Sequence, residues 1–257
     1  MTLLHAVILG IVEGITEFLP ISSTGHLMIA GHVLGLPDTD VTKSFEIAIQ
    51  LGAIAAAIVV YWRMIITNRG LWLTIVAAFI PTSIIGLLLY RIIKTYLLAN
   101  LTLVAVSLAI GGVILILFEQ FHQEETATVT DAKDITIKQA VIIGTAQALA
   151  LIPGVSRSAA TVIVGMTLGI RRSAIVDFSF LLAIPTMAAA TGLDLLKSGD
   201  LFSSHDVLAL AIGLGASFIT AYIVIHWLLA YIRSHTFVAF GVYRIALAVI
   251  VWVFILR

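Results

Sequence analysis

Long apolar segments separated by short polar ones run through the whole chain. Six of them are long enough to cross a hydrocarbon core of about 30 Å as helices. They are predicted at 45–61, 71–90, 101–118, 174–192, 206–229 and 237–256. The apolar segments at 5–18, 25–35, 139–151 and 157–169 are too short to cross it. The pattern predicts an all-α polytopic membrane protein whose short segments form two re-entrant helix-loop-helix hairpins.

The pattern of the first half returns in the second half. The matching positions are His5-Ala-Val-Ile-Leu-Gly10 with Gln139-Ala-Val-Ile-Ile-Gly144, Glu13 with Gln147, Pro20 with Pro153 and Ser23 with Ser156. We predict one membrane domain, 1–257, built from two repeats, 1–118 and 139–257, and a linker at 119–138. Their re-entrant hairpins are 5–35 and 139–169. A hairpin plus three spans crosses an odd number of times, so the second repeat is predicted to be inverted, with the hairpins meeting.

Composition supports this class of protein. The chain is 61% hydrophobic and 11% charged, with mean hydropathy +1.14, whereas soluble domains carry about 25% charged residues. Its net charge of zero argues against a nucleic-acid partner, and the absence of cysteine excludes thiolate metal sites. We expect a multi-pass protein of the inner (plasma) membrane, and a small excess of Lys and Arg in one set of loops favours the orientation in which the first hairpin opens to the outside or periplasm.

The first hairpin contains unusual polar residues in an apolar segment. The run is Glu13-Gly-Ile-Thr-Glu17-Phe-Leu-Pro20-Ile-Ser22-Ser23-Thr24-Gly25-His26. Glu13 and Glu17 share one helix face and would repel each other unless a cation or a shared proton joins them, so we predict that they hold a divalent metal. Pro20 ends the helix, and the hydroxyl residues cap the next one, whose free amides suit a phosphate.

The second hairpin contains Pro153-Gly154-Val155-Ser156-Arg157-Ser158. An arginine between two serines, after a Pro-Gly break and before a helix, combines a fixed cation with hydroxyls and helix N-terminal amides. We predict a phosphate-binding site here. Its predicted members are Ser22, Thr24, Gly25, Gly154, Ser156, Arg157 and Ser158.

Five residues are candidates for the chemistry itself: His26, Glu17, Glu13, Arg157 and Ser23. His26 is the first candidate for proton handling or nucleophilic attack, because its ordinary pKa lies near working pH. Ser23, with His26 as its base, is the rival nucleophile, and a metal-activated water is the third. The sequence leaves these alternatives open. Tyr243 and Arg244 are interpreted either as a membrane anchor or as support for the site.

The two hairpin motifs resemble the signature motifs of the undecaprenyl-diphosphate phosphatase family, also called the bacitracin-resistance family. The resemblance extends over the whole chain, including Lys43-Ser-Phe45-Glu46, Phe178-Ser-Phe-Leu-Leu182 and Tyr243-Arg244. It implies a hydrolase that removes the terminal phosphate of undecaprenyl diphosphate, recycling the lipid carrier for peptidoglycan synthesis and conferring bacitracin resistance. For such a reaction the two glutamates would hold Mg²⁺ or Ca²⁺, and Arg157 would neutralise charge in the transition state.

Inverted repeats with broken helices also occur in secondary transporters, so a transporter or a lipid flippase is the alternative class. A transporter would use the carboxylates as coupling-ion sites and Arg157 as a substrate contact. The expected partners of the phosphatase are a polyprenyl diphosphate substrate and membrane lipids, and a homodimer is one oligomeric state that the sequence leaves open. Release of phosphate in detergent separates the two classes.

Overall fold

The computed structural model describes residues 1–97, 100–122, 127–198 and 204–256, and the chain is helical through most of these ranges. The helices are α1 Leu3–Thr16, α2 Ser23–Val33, α3 Asp40–Thr67, α4 Arg69–Ile92, α5 Leu101–Phe121, α6 Ile137–Gln147, α7 Arg157–Thr167, α8 Arg172–Ser198, α9 Ser204–Tyr231 and α10 Val238–Phe254. Extended backbone pairs in these ranges only at an isolated parallel bridge between Val129 and Ile170. The predicted all-α fold class is confirmed.

Within the described ranges, α3, α4, α5, α8 and α9 are long and apolar enough to cross a membrane. Helix α10 was predicted as a sixth span; it has 17 residues, about 25 Å at 1.5 Å per residue, which is the lower limit for crossing. The chain is therefore a polytopic membrane protein. Most spans extend beyond the predicted bounds. Helix α3, predicted over 45–61, runs from Asp40 to Thr67, because apolar patterning marks only the middle of a helix with polar ends.

Four helices are too short to cross a bilayer, and they form two hairpins. Helices α1 and α2 have 14 and 11 residues and are joined through Glu17–Ser22. Helices α6 and α7 have 11 residues each and are joined through a 3₁₀ turn, Ala148–Leu151, and a loop that includes Gly154. The loop of each hairpin contains the proline that the sequence marked as a break, since proline cannot continue the hydrogen-bond ladder of a helix.

Helices of the two predicted repeats pack in reciprocal pairs. Helix α1 of the first repeat packs on α9 of the second, and α6 of the second packs on α4 of the first. The spans pair likewise, α3 with α8 and α5 with α10. Small residues allow close approach at these crossings, because Gly10 lies against the backbone at Gly213 and Gly144 against the backbone at Ala78. Two interlocked copies would pack in this way; their inverted orientation stays a prediction.

The linker is shorter than the predicted 119–138. Helix α5 continues to Phe121 and α6 begins at Ile137, and part of the stretch between them lies outside the described residues. Glu119, predicted to be in the linker, lies in the last turn of α5 and forms a buried ion pair with Arg172 at the start of α8, at 2.8 Å. Its polarity suggested a loop, but a buried partner lets it remain helical. The pair ties the third span of one half to the first span of the other.

Candidate active site

The loops of the two hairpins meet in the interior of the molecule. Ser158 donates a hydrogen bond from its hydroxyl to the Leu19 carbonyl at 2.8 Å, and the Gly154 amide donates to the Ser22 hydroxyl oxygen at 3.1 Å. All of these groups are buried. The hairpin loops therefore form one polar junction, which is where the sequence analysis placed the chemistry.

An ion pair crosses this junction. Arg157 at the start of α7 lies 3.0 Å from Glu17 at the end of α1, and their side chains are only 6% and 2% exposed. The second guanidinium nitrogen of Arg157 donates to the Ser179 carbonyl at 2.8 Å. Ser23 donates its hydroxyl to the other Glu17 oxygen at 2.5 Å. The arginine and the carboxylate predicted for separate roles are thus direct partners in this structure.

Glu13 lies one helical turn before Glu17 and is fully buried. Both of its carboxylate oxygens lack a hydrogen-bond partner among the described residues. A buried carboxylate is costly unless it is protonated or meets a cation, so this orphaned group fits a divalent metal shared with Glu17. No cluster of three or more His, Cys, Asp or Glu residues occurs in the part of the chain that the structure describes. The protein would therefore supply two carboxylates, leaving most coordination positions to phosphate oxygens and water.

Two serines cap the helices that begin at the junction. Ser22 and Ser156 both adopt positive φ, 72° and 76°, and accept hydrogen bonds from Gly25 N and Ala159 N respectively. Ser156 thus matches Ser22 in backbone role, one position from the match with Ser23 that the sequence predicted. The difference arises because the loop after Pro153 is one residue longer than the loop after Pro20.

The capped helices direct free amides into the junction. The first-turn N–H groups of Ser23, Thr24, Arg157 and Ser158 have no hydrogen-bond partner among the described residues. Such groups at a helix N-terminus attract an anion. Ser156 and Ser158 lie hydroxyl to hydroxyl at 3.1 Å. Thr24 is half-buried and takes no part in the side-chain network.

His26 lies in the first turn of α2 and is held at both ring nitrogens. Its Nδ1 lies 2.7 Å from the Ser22 carbonyl, and its Nε2 lies 2.8 Å from the Tyr243 hydroxyl of α10. The predicted pairing of Ser23 with His26 does not occur, because the Ser23 hydroxyl points to Glu17 instead. In the structure, Glu17 is the group placed to accept a proton from Ser23.

Comparison with known proteins agrees with this geometry. The family model described as bacitracin resistance protein BacA matches residues 6–250. The chain belongs to the BacA family. Its relatives include proteins named undecaprenyl-diphosphatase from Aquifex aeolicus, 50% identical with 100% of each chain covered, and from Sulfurihydrogenibium, 44% identical with 97% of this chain and 98% of the relative covered. Another, from Thermus thermophilus, is 44% identical with 98% and 97% covered.

Arg244 joins the two hairpin loops of this BacA-family site, a role that the sequence did not specify. Arg244 of α10 is fully buried and donates to the carbonyls of Pro20 and Gly154 at 3.2 and 2.8 Å, one in each hairpin loop. It also donates to Ser107 and Leu108 of α5 at 3.2 and 3.4 Å. The sequence singled out Tyr243 and Arg244 as an anchor or a support, and the geometry favours support. A charged residue inside an apolar helix was the available signal.

Proposed function

We propose that this BacA-family chain hydrolyses undecaprenyl diphosphate to undecaprenyl phosphate and inorganic phosphate. One observation carries the proposal: a buried arginine, free helix amides and an orphaned carboxylate converge where the two hairpins meet. An arginine with free amides suits a phosphoanion, and the orphaned carboxylate suits the cation that accompanies a diphosphate. The relatives named undecaprenyl-diphosphatase support the same reaction. No specific observation favours the transporter or flippase.

Phosphoryl transfer requires charge neutralisation and positioning more than covalent work by the protein. In the proposed cycle the terminal phosphate approaches Arg157 and takes hydrogen bonds from its guanidinium and from the amides of Ser156, Arg157 and Ser158. The first hairpin adds the free amides of Ser23 and Thr24 and the hydroxyls of Ser22 and Thr24, whereas the Gly25 amide, predicted as a phosphate donor, is bonded to the Ser22 cap. When the phosphate replaces part of the contact between Arg157 and Glu17, Arg157 keeps its hydrogen bond to the Ser179 carbonyl and therefore stays oriented. The donors are thus in place before charge develops.

Glu13 and Glu17 are the residues that would hold a divalent cation, Mg²⁺ or Ca²⁺. When bound, the cation would neutralise charge on the diphosphate oxygens. The unpartnered oxygens of Glu13 support this assignment. Glu17 has a second role, because it orients both Arg157 and Ser23. A change at Glu17 would therefore disturb the cation, Arg157 and Ser23, whereas a change at Glu13 would disturb the cation alone.

His26 is the proposed general base or nucleophile, since its ring lies in the first turn of α2 beside the phosphate site. It either accepts the proton of an attacking water or attacks phosphorus itself, and Ser23 with Glu17 as base is the competing nucleophile. Parallel quenching in acid and in alkali of protein mixed with substrate labelled in the terminal phosphate separates these routes. A covalent label lost in acid but kept in alkali indicates His26, an acid-stable label indicates Ser23, and no label indicates water.

The proposed substrate is a lipid, so the reaction takes place at the membrane. The polyprenyl tail would remain among membrane lipids while only the diphosphate enters the junction. We place the protein in the inner (plasma) membrane, where the lipid carrier for peptidoglycan synthesis is recycled, and the charge bias of the loops favours a site open to the periplasm or outside. Labelling of a tag after residue 256 by an impermeant reagent in intact cells tests this orientation; labelling only after lysis would reverse it. A homodimer remains a prediction.

The decisive experiment measures phosphate release from undecaprenyl diphosphate by purified protein in detergent, with and without EDTA. We expect release that EDTA abolishes and added Mg²⁺ or Ca²⁺ restores. Glu17→Gln and Arg157→Ala should each lower kcat/KM by about 10²-fold or more, because each removes charge stabilisation at the reacting phosphate. Detergent has no compartments, so a transporter gives no signal.

Matched controls use exposed residues of the same kinds. Arg69→Ala and Asp134→Asn change an exposed arginine and an exposed acid and should leave the rate unchanged. Folded wild-type protein that releases no phosphate with divalent metal restored would contradict the proposed function. Release that persists in EDTA would contradict the metal alone and leave the phosphatase in place.

A further inference from the structure

Tyr243 reaches His26 from the far end of the chain. The two residues are 217 positions apart, and the tyrosine hydroxyl lies 2.8 Å from Nε2. Their rings are nearly parallel, with an interplanar angle of 4° and centroids 5.6 Å apart, so the contact is made at the ring edges. Tyr243 is 44% exposed, which leaves room for its hydroxyl to move aside.

The other nitrogen of His26 determines how this contact works. Nδ1 lies 2.7 Å from the Ser22 carbonyl, and a carbonyl oxygen only accepts hydrogen bonds. Nδ1 therefore carries a proton. In a neutral imidazole the lone pair is then on Nε2, so the Tyr243 hydroxyl donates to it. Both contacts favour the same tautomer.

Both partners of His26 are themselves fixed by the hairpin junction. Ser22 is the helix cap with positive φ, and its hydroxyl accepts from the amides of Gly25 and Gly154. Tyr243 precedes Arg244, whose guanidinium bonds to a carbonyl in each hairpin loop. The junction thus controls the carbonyl at Nδ1 and the hydroxyl at Nε2 together.

We propose that Tyr243 is a positioning residue that, together with the Ser22 carbonyl, holds the His26 ring in one orientation with the proton on Nδ1, so that Nε2 is the reactive nitrogen. The inference rests on the proposed role of His26 in phosphate release. It holds whether His26 attacks phosphorus or takes a proton from water, because both use the lone pair of Nε2. In the resting protein the tyrosine hydroxyl covers that lone pair, and the incoming phosphate or water displaces it.

Tyr243→Phe tests this by removing only the hydroxyl. We expect kcat to fall by about tenfold or more with KM changed less than twofold, because the imidazole keeps its Ser22 contact at Nδ1 but loses the contact that orients Nε2, while the phosphate donors are untouched. A matched control is Tyr222→Phe in α9. Tyr222 is 41% exposed and lies beside His226, with ring centroids 4.6 Å apart and the ring planes tilted by 54°. This control should leave both kinetic parameters unchanged.

A spectroscopic readout separates positioning from a general structural effect. In protein labelled with ¹⁵N-histidine, the His26 signals are identified by their loss in His26→Gln. We expect a protonated Nδ1 and an unprotonated Nε2 in the wild type, and a shifted Nε2 signal in Tyr243→Phe but not in Tyr222→Phe. Wild-type protein with a protonated Nε2 would overturn the proposal.

The two possible failures are distinguishable. If His26→Gln abolishes phosphate release while Tyr243→Phe keeps the wild-type rate and His26 spectrum, the inference about Tyr243 is wrong and the phosphatase stands. If wild-type protein is active and His26→Gln remains equally active, His26 takes no part in the reaction and Nε2 is not the reactive nitrogen. A fall in kcat without a change in the His26 signals would also overturn the proposal.

Discussion

Arg244→Met should damage activity far more than stability. The guanidinium is fully buried, and its hydrogen-bond partners among the described residues are four backbone carbonyls and no carboxylate. Those of Ser107 and Leu108 lie in α5 and retain helical hydrogen bonds. Those of Pro20 and Gly154 lie in the hairpin loops and have no other partner among the described residues. Methionine fills similar volume but bonds to neither loop.

The magnitude follows from these two loop carbonyls. Leaving a buried acceptor unsatisfied costs about 1 to 3 kcal/mol, so two of them cost about 2 to 6 kcal/mol. Removing a buried charge that has no opposite charge beside it regains several kcal/mol of desolvation. The net loss of stability should therefore be small, about 2 kcal/mol or less. The loops, however, lose the bonds that hold them together, and a displacement of about 1 Å at a reacting group can cost 10²-fold in rate.

Arg172→Met is the matched control, because this arginine is also buried but pairs with Glu119 away from the hairpin loops. Breaking that pair leaves a buried carboxylate uncompensated and should cost about 3 to 5 kcal/mol. We expect Arg244→Met to lower kcat by about 10²-fold with a small change in unfolding midpoint in detergent. Arg172→Met should lower the unfolding midpoint strongly and change kcat little. The reasoning is refuted if Arg244→Met keeps kcat within threefold of wild type, or if both variants lose activity in proportion to stability.

Three further predictions concern the same junction. Gly154→Ala should lower kcat and destabilise the protein, because φ is +94° and a Cβ would lie 2.7 Å from the Val104 carbonyl. The control is Gly35→Ala, with φ +66° and nothing within 4 Å of the added Cβ, which should affect neither the rate nor the junction. Equal rates for the two variants would contradict this. Mg²⁺ or Ca²⁺ should raise the unfolding midpoint of wild-type protein but not of Glu13→Gln, and an equal rise in both would remove Glu13 from the metal site. Tyr61→Phe should cost about 1 kcal/mol in stability by losing the 2.6 Å bond to Asp177 while keeping kcat, and a large fall in kcat would place that pair in the site.

The sequence predicted the hairpins because their signals are local. A carboxylate pair four residues apart, a proline break and a run of cap residues each act over one or two helical turns. The ion pair between Glu17 and Arg157 joins residues 140 positions apart, so its existence depends on how the hairpins pack. The sequence predicted that the hairpins would meet, but it did not predict that these two side chains would pair directly.

The contact between Ser23 and His26 is absent for a related reason. The sequence left open a route in which Ser23 is the nucleophile and His26 is its base. In the structure the end of α1 brings Glu17 within reach of Ser23, and a charged acceptor forms the stronger hydrogen bond. His26 then takes partners from its own cap and from α10, at a sequence distance that no local pattern reveals.

The difference between the hairpins makes the candidate site asymmetric. Gln147, at the position matching Glu13, donates to the hydroxyls of Thr82 and Thr186 at 3.0 and 3.3 Å. An amide donates hydrogen bonds where an ionised carboxylate only accepts them, so Gln147 is held by its neighbours while Glu13 stays available to a cation. After the caps Ser22 and Ser156, the first hairpin has Ser23 where the second has Arg157. One hairpin thus contributes the carboxylates and the other the arginine, so the site forms only where both meet.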